Sequence, residues 1–367
     1  MVARSSRRVN MDNALLLIVN VGSTSTKVAL FRGTQPVVQD TITYRAEELS
    51  GYAGLSDQLP RRREDLHQFV ERNAIPLTDI ELFISRGGLG KPGPAGAYAI
   101  DKAMCEDLLS GTYGRHPSAL GPAMMLDLAG QYGKRAIIID PPSTDEFDPL
   151  ARISGLPEIE RRSAFHALNQ KAAARRAARA IGRAYEEVRL VVAHLGGGIT
   201  IGAHRRGRVA DCTHGLTEGP MTPERAGTLP TQDLVDLALS GTPDRKQLQL
   251  RLVGRGGLAA YLGTTDAKQV EAMIQQGDEK ARLIYQAMAY QIAKDIGAMR
   301  VALEGPADGI VLTGGLAHSQ MLTGWIREWI EGLAPVFIFP GEDEMAALAE
   351  GGLRVLSGEE PVSRYDE

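Results

Sequence analysis

The stretch Leu15–Phe31, LLLIVNVGSTSTKVALF, decides how the rest of the chain is read. Leu15 to Val19 is one short apolar run and Val28 to Phe31 a second, each marking a buried strand. Between them stand Asn20, Gly22, Ser23, Thr24, Ser25, Thr26 and Lys27. A glycine followed by hydroxyl side chains and a lysine suits a tight hairpin whose N–H and O–H groups can hold phosphate oxygens. Most Gly/Ser-rich hairpins are only turns, so the weight falls on recurrence. The GxxxxGK[ST] spacing is absent and the turn leads into a strand pattern rather than a helix, which excludes a P-loop.

The pattern returns about half a chain later. Val188 to Ala193 is apolar, then come His194-Leu195-Gly196-Gly197-Gly198, a second apolar run Ile199 to Ala203, and a polar turn at Arg205 to Arg208. That separation is too long for a solenoid repeat and fits a duplicated domain. Two such hairpins could grip one polyphosphate from both sides. The length, 367 residues, independently asks for two domains.

Other positions carry chemistry less openly. The strand at Ile80 to Ile84 runs into a Gly-rich loop with Arg86 at its mouth, followed by Gly87 and Gly88. The strand at Arg135 to Ile139 ends in Asp140-Pro141-Pro142. A carboxylate there is either a metal position or a turn-initiating Asp, and the two readings weigh equally. His214 to Leu229 is a long segment with little periodicity, of the kind that often carries function, and Arg225 is its ligand-facing candidate. GIVLTGGL, Gly309 to Leu316, is a strand running into Gly314 and Gly315, where adenosine could lie against bare backbone. Acids at Glu342, Asp343 and Glu344 precede a final helix, Met345 to Val355, and serve either as dipole caps or as a metal-side carboxylate. Helices are expected over Glu64 to Asn73, from about Ala103, over Ser118 to Tyr132, Arg161 to Glu187 and Glu271 to Glu304. His166 near the start of the fourth reads, by itself, as an ordinary core or surface histidine.

Composition narrows the function classes. Hydrophobic residues at 43%, charged residues at 23% and a net charge of −4 give no general reason to expect nucleic acid or an anionic membrane as partner. The runs Arg61-Arg62-Arg63 and Arg205-Arg206 read as solvated loops. Cys105 and Cys212 sit at no metal-ligand spacing and form no disulfide framework, which fits a reducing cytoplasm. The basic start, Arg4 to Arg8, precedes an apolar stretch of only six residues, Ala14 to Val19, and reads as an untargeted tail. No apolar run approaches the roughly 20 residues of a membrane span.

With these pieces in place the chain resembles the acetate/butyrate kinase family, within the larger group of sugar kinases, Hsp70 and actin, and most closely its butyrate kinase branch. The resemblance runs from about Leu15 to Leu356. It is carried by Asn20 to Lys27, Arg86-Gly87-Gly88, Asp140-Pro141, Ala151 to Pro157, Phe165 to Lys171, His194 to Gly198, Pro223-Glu224-Arg225, Leu312 to Gly315 and Pro340 to Met345. It implies an α/β fold of two duplicated ribonuclease H-like domains with an interdomain cleft. A tail would occupy 1–13, the first domain 14–155 plus 340–360, and the second 156–339.

The resemblance also implies a site. Asn20, Ser23, Ser25 and Lys27 would line the first phosphate hairpin, and His194 with Gly196, Gly197 and Gly198 the second; Gly314 and Gly315 would floor the adenosine pocket. Arg86 and Arg225 match the arginines that flank the acyl carboxylate and the phosphoryl group in flight. His166 matches a histidine that contacts that group, which overturns the bland reading of it, and His116 matches another active-site histidine. Asp140 matches a carboxylate at the magnesium site, with Glu344 chosen over Glu342 as the second acid. Gly88, Phe165 and Leu216 would border the acyl tail; glycine at 88, where the acetate branch tends to carry a larger apolar residue, would leave room for a longer one. The chain departs from the branch at Ala119, where Asn is usual, and at Val21, where Pro is common.

The implied reaction is reversible transfer of the ATP γ-phosphoryl group to a short-chain carboxylate, butyrate or isobutyrate ahead of acetate or propionate, giving acyl phosphate and ADP with Mg²⁺. A homo-oligomer, dimer or larger, is expected from the same resemblance. The rivals are a sugar or polyol kinase, which needs a base facing the hydroxyl, and an actin-like ATP switch acting through a partner.

Overall fold

β1 (Leu15–Val21) is buried along its whole length, as a strand with packed layers on both faces must be. The computed structural model describes residues 10–366, so the basic run Arg4 to Arg8 lies outside the described residues. β1 pairs antiparallel with β2 (Ser25–Arg32), from Leu15 opposite Arg32 to Val21 opposite Thr26. β2 turns back into β3 (Gln35–Thr43), the solvent-facing edge. β4 (Leu82–Ser85) lies parallel to β1 on its other side, followed by β5 (Ala97–Ala99) and β6 (Ala136–Ile139).

A second set of strands repeats this order. β7 (Arg189–Leu195), β8 (Ile199–Arg205) and β9 (Arg208–Cys212) form an antiparallel meander. β10 (Gly309–Gly314) lies parallel to β7, and β11 (Val336–Pro340) parallel to β10. β12 (Val362–Ser363) then closes the first sheet, whose order is β12-β5-β6-β4-β1-β2-β3, against β11-β10-β7-β8-β9 in the second. The chain divides into two compact units: one runs to Thr144 and resumes at Asp343, the other spans residues 145–342.

In the first unit the odd residues of β1, Leu15, Leu17, Val19 and Val21, pack with Leu66, Phe69 and Met104 from the helices Leu59–Arg72 and Lys102–Ser110, and with Leu120 and Met124 of Leu120–Gln131. The opposite face carries the helix Glu344–Ser357, whose Gly351 and Gly352 lie directly against Ile139, Ile84 and Leu16. In the second unit, Glu279–Val301 and Gln320–Ile330 cover one face of the sheet. The helix Ala167–Ile181 covers the other. Among the described residues no helix is long and apolar enough to cross a membrane.

Several expectations are corrected. The helix expected over Arg161 to Glu187 begins only at Ala167 and ends at Ile181, where Gly182 turns left-handed at φ 79°. The segment before it is held open because Arg161 reaches the carbonyls of Ala151 and Cys212 and the carboxylate of Asp211. The helical span Glu271 to Glu304 is two helices: Gly277 at φ 90° stops Ala267–Gln275, and Asp278 caps Glu279–Val301 through the Ala281 N–H. Arg61-Arg62-Arg63 is helical rather than a solvated loop, and Arg62 is only 1% exposed. Arg205 is likewise no loop charge; it ends β8 paired with Asp148 and Glu304.

Candidate functional site

In the first unit the turn between β1 and β2 is closed by the Gly22 N–H donating to the Ser25 carbonyl at 2.8 Å. Ser23 and Lys27 are exposed, Ser25 is half-buried, and Asn20 is buried at the end of β1. Arg62 holds this turn from behind, donating to the Thr26 hydroxyl at 2.8 Å and to the carbonyls of Ser25 and Ser23 at 3.2 and 3.4 Å. Its guanidinium also lies 4.4 Å from the Tyr44 ring centroid. A planar cation that spends its donors on backbone carbonyls fixes the path of a turn whose outer side is left to solvent.

Three of the expected residues meet there. The Asn20 amide donates to Glu344 Oε2 at 2.6 Å, and Arg86 Nη2 lies 3.3 Å from Glu344 Oε1. Both partners of the ion pair are mostly buried, so it is screened less than a surface pair. Glu344 is delivered by the first turn of its helix, where Asp343 caps the Ala346 N–H. His116 accepts the Ser118 N–H on Nδ1, which leaves the proton of a neutral ring on Nε2. Burial, and then the Arg86 charge, push His116 below the ordinary histidine value against the opposing pull of Glu344. Asp140 ends β6 with its side chain buried and its backbone at φ 41°. Asp tolerates this left-handed conformation better than most residues, and Ala74, Arg206 and Glu304 adopt it as well.

In the second unit Leu195 and Ile199 close a three-residue turn made of Gly196, Gly197 and Gly198. The guanidinium of Arg225 lies against it: a Cβ on Gly198 would stand 2.4 Å from Arg225 Nη1. Arg225 also donates to the Gly215 carbonyl, while Thr222 holds the Arg225 N–H at 3.0 Å and donates to the Gly197 carbonyl at 2.7 Å. Burial lowers the Arg225 pKa, with Glu224 opposing, yet a guanidinium keeps its charge. His194 Nδ1 donates to Asn169 Oδ1 at 2.7 Å, its Nε2 stands 3.1 Å from Glu342 Oε1, and its ring stacks on His166 at 3.7 Å between ring centroids. Gly314, at φ 89°, lies so close to the Leu195 carbonyl that a Cβ would come within 2.4 Å; Gly315 opens onto free space.

The residues expected at the acyl tail are placed differently from one another. Phe165 is buried in a small core with Phe147, Val209 and Cys212. Leu216 is 54% exposed. Gly88 is buried, and a Cβ there would stand 3.0 Å from Ala119 Cα. The residues that sequence reasoning passed over are Arg62, Asn169, Gln170 and Thr200. Asn169 and Gln170 follow His166 at i+3 and i+4 on a helix, and Thr200 alternates with Ile199 and Ile201 on a strand. Those spacings are the signal that places polar groups beside the histidine.

The model of the Acetokinase family matches residues 158–332, which include His166, His194, Arg225 and Gly314. Porphyromonas gingivalis acetate kinase is 17% identical with a TM-score of 0.75, over 92% of this chain and 99% of that one. Entamoeba histolytica acetate kinase is 17% identical at a TM-score of 0.73, over 92% and 98%. A propionate kinase from Francisella tularensis is 16% identical at 0.72, over 92% and 98%. The chain therefore has the two-domain, duplicated α/β fold of these kinases.

Proposed function

We propose that this chain transfers the γ-phosphoryl group of ATP to the carboxylate of a short-chain fatty acid. The observation that carries the reading is the second unit's arrangement of Arg225 lying on a glycine hairpin beside the stacked His166 and His194, within the span that matches the Acetokinase family. A carboxylate is already ionised at neutral pH, so the acceptor needs no general base. One carboxylate oxygen bonds to the γ-phosphorus as the bond from phosphorus to the β-bridging oxygen breaks, and ADP leaves. The transition state is loose and anionic, and catalysis is mainly positioning and charge neutralisation. Arg86 in the first unit and Arg225 in the second are each the kind of fixed planar donor that such oxygens would need.

The nucleotide fits the donor set. Exposed Ser23 and Lys27, the glycine turn at Gly196, Gly197 and Gly198, and the open backbone at Gly315 offer N–H, O–H and ammonium groups for phosphates and a flat floor for a base. Asp140 and Glu344 would hold Mg²⁺. That ion takes one or two carboxylates together with phosphate oxygens and water, which is the kind of donor these two acids offer. Bound there, Mg²⁺ would neutralise charge on the phosphate oxygens.

Acyl length divides into two readings. Glycine at 88 favours butyrate or isobutyrate. The close approach of Ala119 to Gly88 and the acetate and propionate named for the similar structures favour shorter acids. Each buried methylene is worth about 0.8 kcal/mol, so neighbouring homologues should differ modestly in kcat/KM. Comparing acetate, propionate, butyrate and isobutyrate separates the readings. The reaction itself is tested by Arg86→Ala and Arg225→Ala, each expected to lose most acyl phosphate formation while ATP binding persists. Near-normal turnover in both contradicts the proposal. A homo-oligomer in a reducing cytoplasm completes the proposal.

A further inference from the structure

The face of β8 toward the helix Ala167–Ile181 carries Thr200, Gly202 and His204, one residue in two, and all three are buried. Buried polar groups on such a face must find partners. Here they find them in a single line. Tyr185 Oη lies 2.8 Å from His204 Nδ1, and His204 Nε2 lies 3.0 Å from Gln170 Oε1. Gln170 Nε2 reaches the Thr200 carbonyl at 3.0 Å and Thr200 Oγ1 at 2.8 Å. Thr200 Oγ1 lies 2.9 Å from His166 Nδ1.

The position of each proton follows from which atoms can only accept. The Thr200 carbonyl is such an atom, so the Gln170 atom facing it is the amide nitrogen and its oxygen faces His204. His204 must then donate from Nε2, which leaves Nδ1 to accept the Tyr185 hydroxyl. Thr200 Oγ1 has two lone pairs, one taken by Gln170 Nε2 and the other by the His166 backbone N–H at 3.4 Å. Its hydroxyl proton therefore goes to His166 Nδ1. Every side-chain donor in the line points the same way, from Tyr185 to His166, and bonds aligned in series strengthen one another.

The surroundings fit this direction. A Cβ on Gly202 would stand 2.5 Å from Gln170 Oε1, so the missing side chain is what admits the amide. Lys171 Nζ, paired with Glu146 at 2.8 Å, lies 5.7 Å from the Tyr185 ring centroid, and the Arg175 guanidinium 5.4 Å from it. Burial first, then these two cations, keep His204 far below the ordinary histidine value and hence neutral. The His194 ring stacks on the face of His166 at 3.7 Å between centroids and fixes the plane in which its two nitrogens point.

We propose that Thr200, Gln170, His204 and Tyr185 are positioning residues that hold His166 as a neutral ring protonated on Nε2, so that it meets the transferring phosphoryl group as a hydrogen-bond donor. The donor's use rests on the function proposed above; the tautomer does not. The test labels the histidines with ¹⁵N and reads the ring nitrogens by long-range ¹H–¹⁵N correlation, with His166 assigned by the signals lost in His166→Gln. Wild type should show a bare Nδ1 and a protonated Nε2 on His166. Thr200→Val, which keeps the shape but removes the hydroxyl, should shift that pattern toward protonation on Nδ1, and Thr200→Ser should restore it. In the same variants acyl phosphate formation should fall roughly ten- to hundredfold in kcat for Thr200→Val, with KM for ATP nearly unchanged, and recover in Thr200→Ser. His166 protonated on Nδ1 in wild type overturns the proposal, as does a tautomer that survives Thr200→Val or an unchanged kcat when it does not. Wild-type protein that makes no acyl phosphate contradicts the proposed function, while the spectra still decide the tautomer.

Discussion

Gly88 shows how much one hydrogen atom can decide. Ala119 fills the space a side chain would need, with backbone 3.0 and 3.1 Å from the Cβ position and Leu108 Cδ2 at 3.1 Å. Gly88→Val should therefore destabilise the first unit by about 1–3 kcal/mol, read as a lower midpoint in chemical denaturation. Histidines give the second residue-scale prediction. His204, and more weakly His116 and His214, are held below the ordinary value of 6.5 chiefly by burial. The unfolded chain takes up protons near pH 6.5 that the folded chain refuses. Stability should be fully present above that pH and fall as pH drops below it, by up to about 1.4 kcal/mol per pH unit for each such group. Denaturation midpoints at pH 7.5 and 5.5 check this, and His204→Gln should flatten the dependence. His194 stood out because it leads into a glycine turn at a strand end, and Arg225 because it lies in a long segment of little periodicity; His166 read by itself as an ordinary histidine and was singled out only by the family resemblance. Thr200 and Gln170 were not, because a polar residue in an apolar run declares nothing until the element packed against it is known.

Elements bring those residues together, and the hairpins were the most legible of them. Apolar runs flanking Gly22 and Gly196 specify strand, turn and strand without help from distant contacts. What holds the first turn in place was not legible. Arg62 sits in a run of three arginines, and only the helix Leu59–Arg72 turns the middle one inward while Arg63 pairs with Asp127 and Arg61 with Asp65. Arg62→Ala should remove a charged donor from Thr26 and two carbonyls, costing about 3 kcal/mol in denaturation experiments. Helix ends were legible only in part, since periodicity carries through a break that a cap defines. The Asp278 carboxylate capping Glu279–Val301 is such a break, and Asp278→Ala should cost about 1 kcal/mol by the same measurement.

Across the whole molecule, duplication is the feature that sequence and structure share most fully. Two meanders, each with a parallel strand beside its first member, arise from two stretches that look alike only in pattern. Each unit buries its own core and offers its own polar side chains: Arg86, Glu344 and His116 in one, and Arg225, His166 and His194 in the other. Substrate choice is the least legible property at this scale, because under the proposed function it would turn on tenths of an ångström around Gly88 and Ala119 rather than on any motif.

If a carboxylate accepts the phosphoryl group, the product is an acyl phosphate that hydroxylamine traps. Protein incubated with ATP, Mg²⁺ and butyrate or isobutyrate in the presence of hydroxylamine should accumulate the acyl hydroxamate in step with ADP, and neither should form at a comparable rate when the acid is omitted. ADP release that is indifferent to every short-chain acid, or that requires glycerol or a hexose instead, would contradict it.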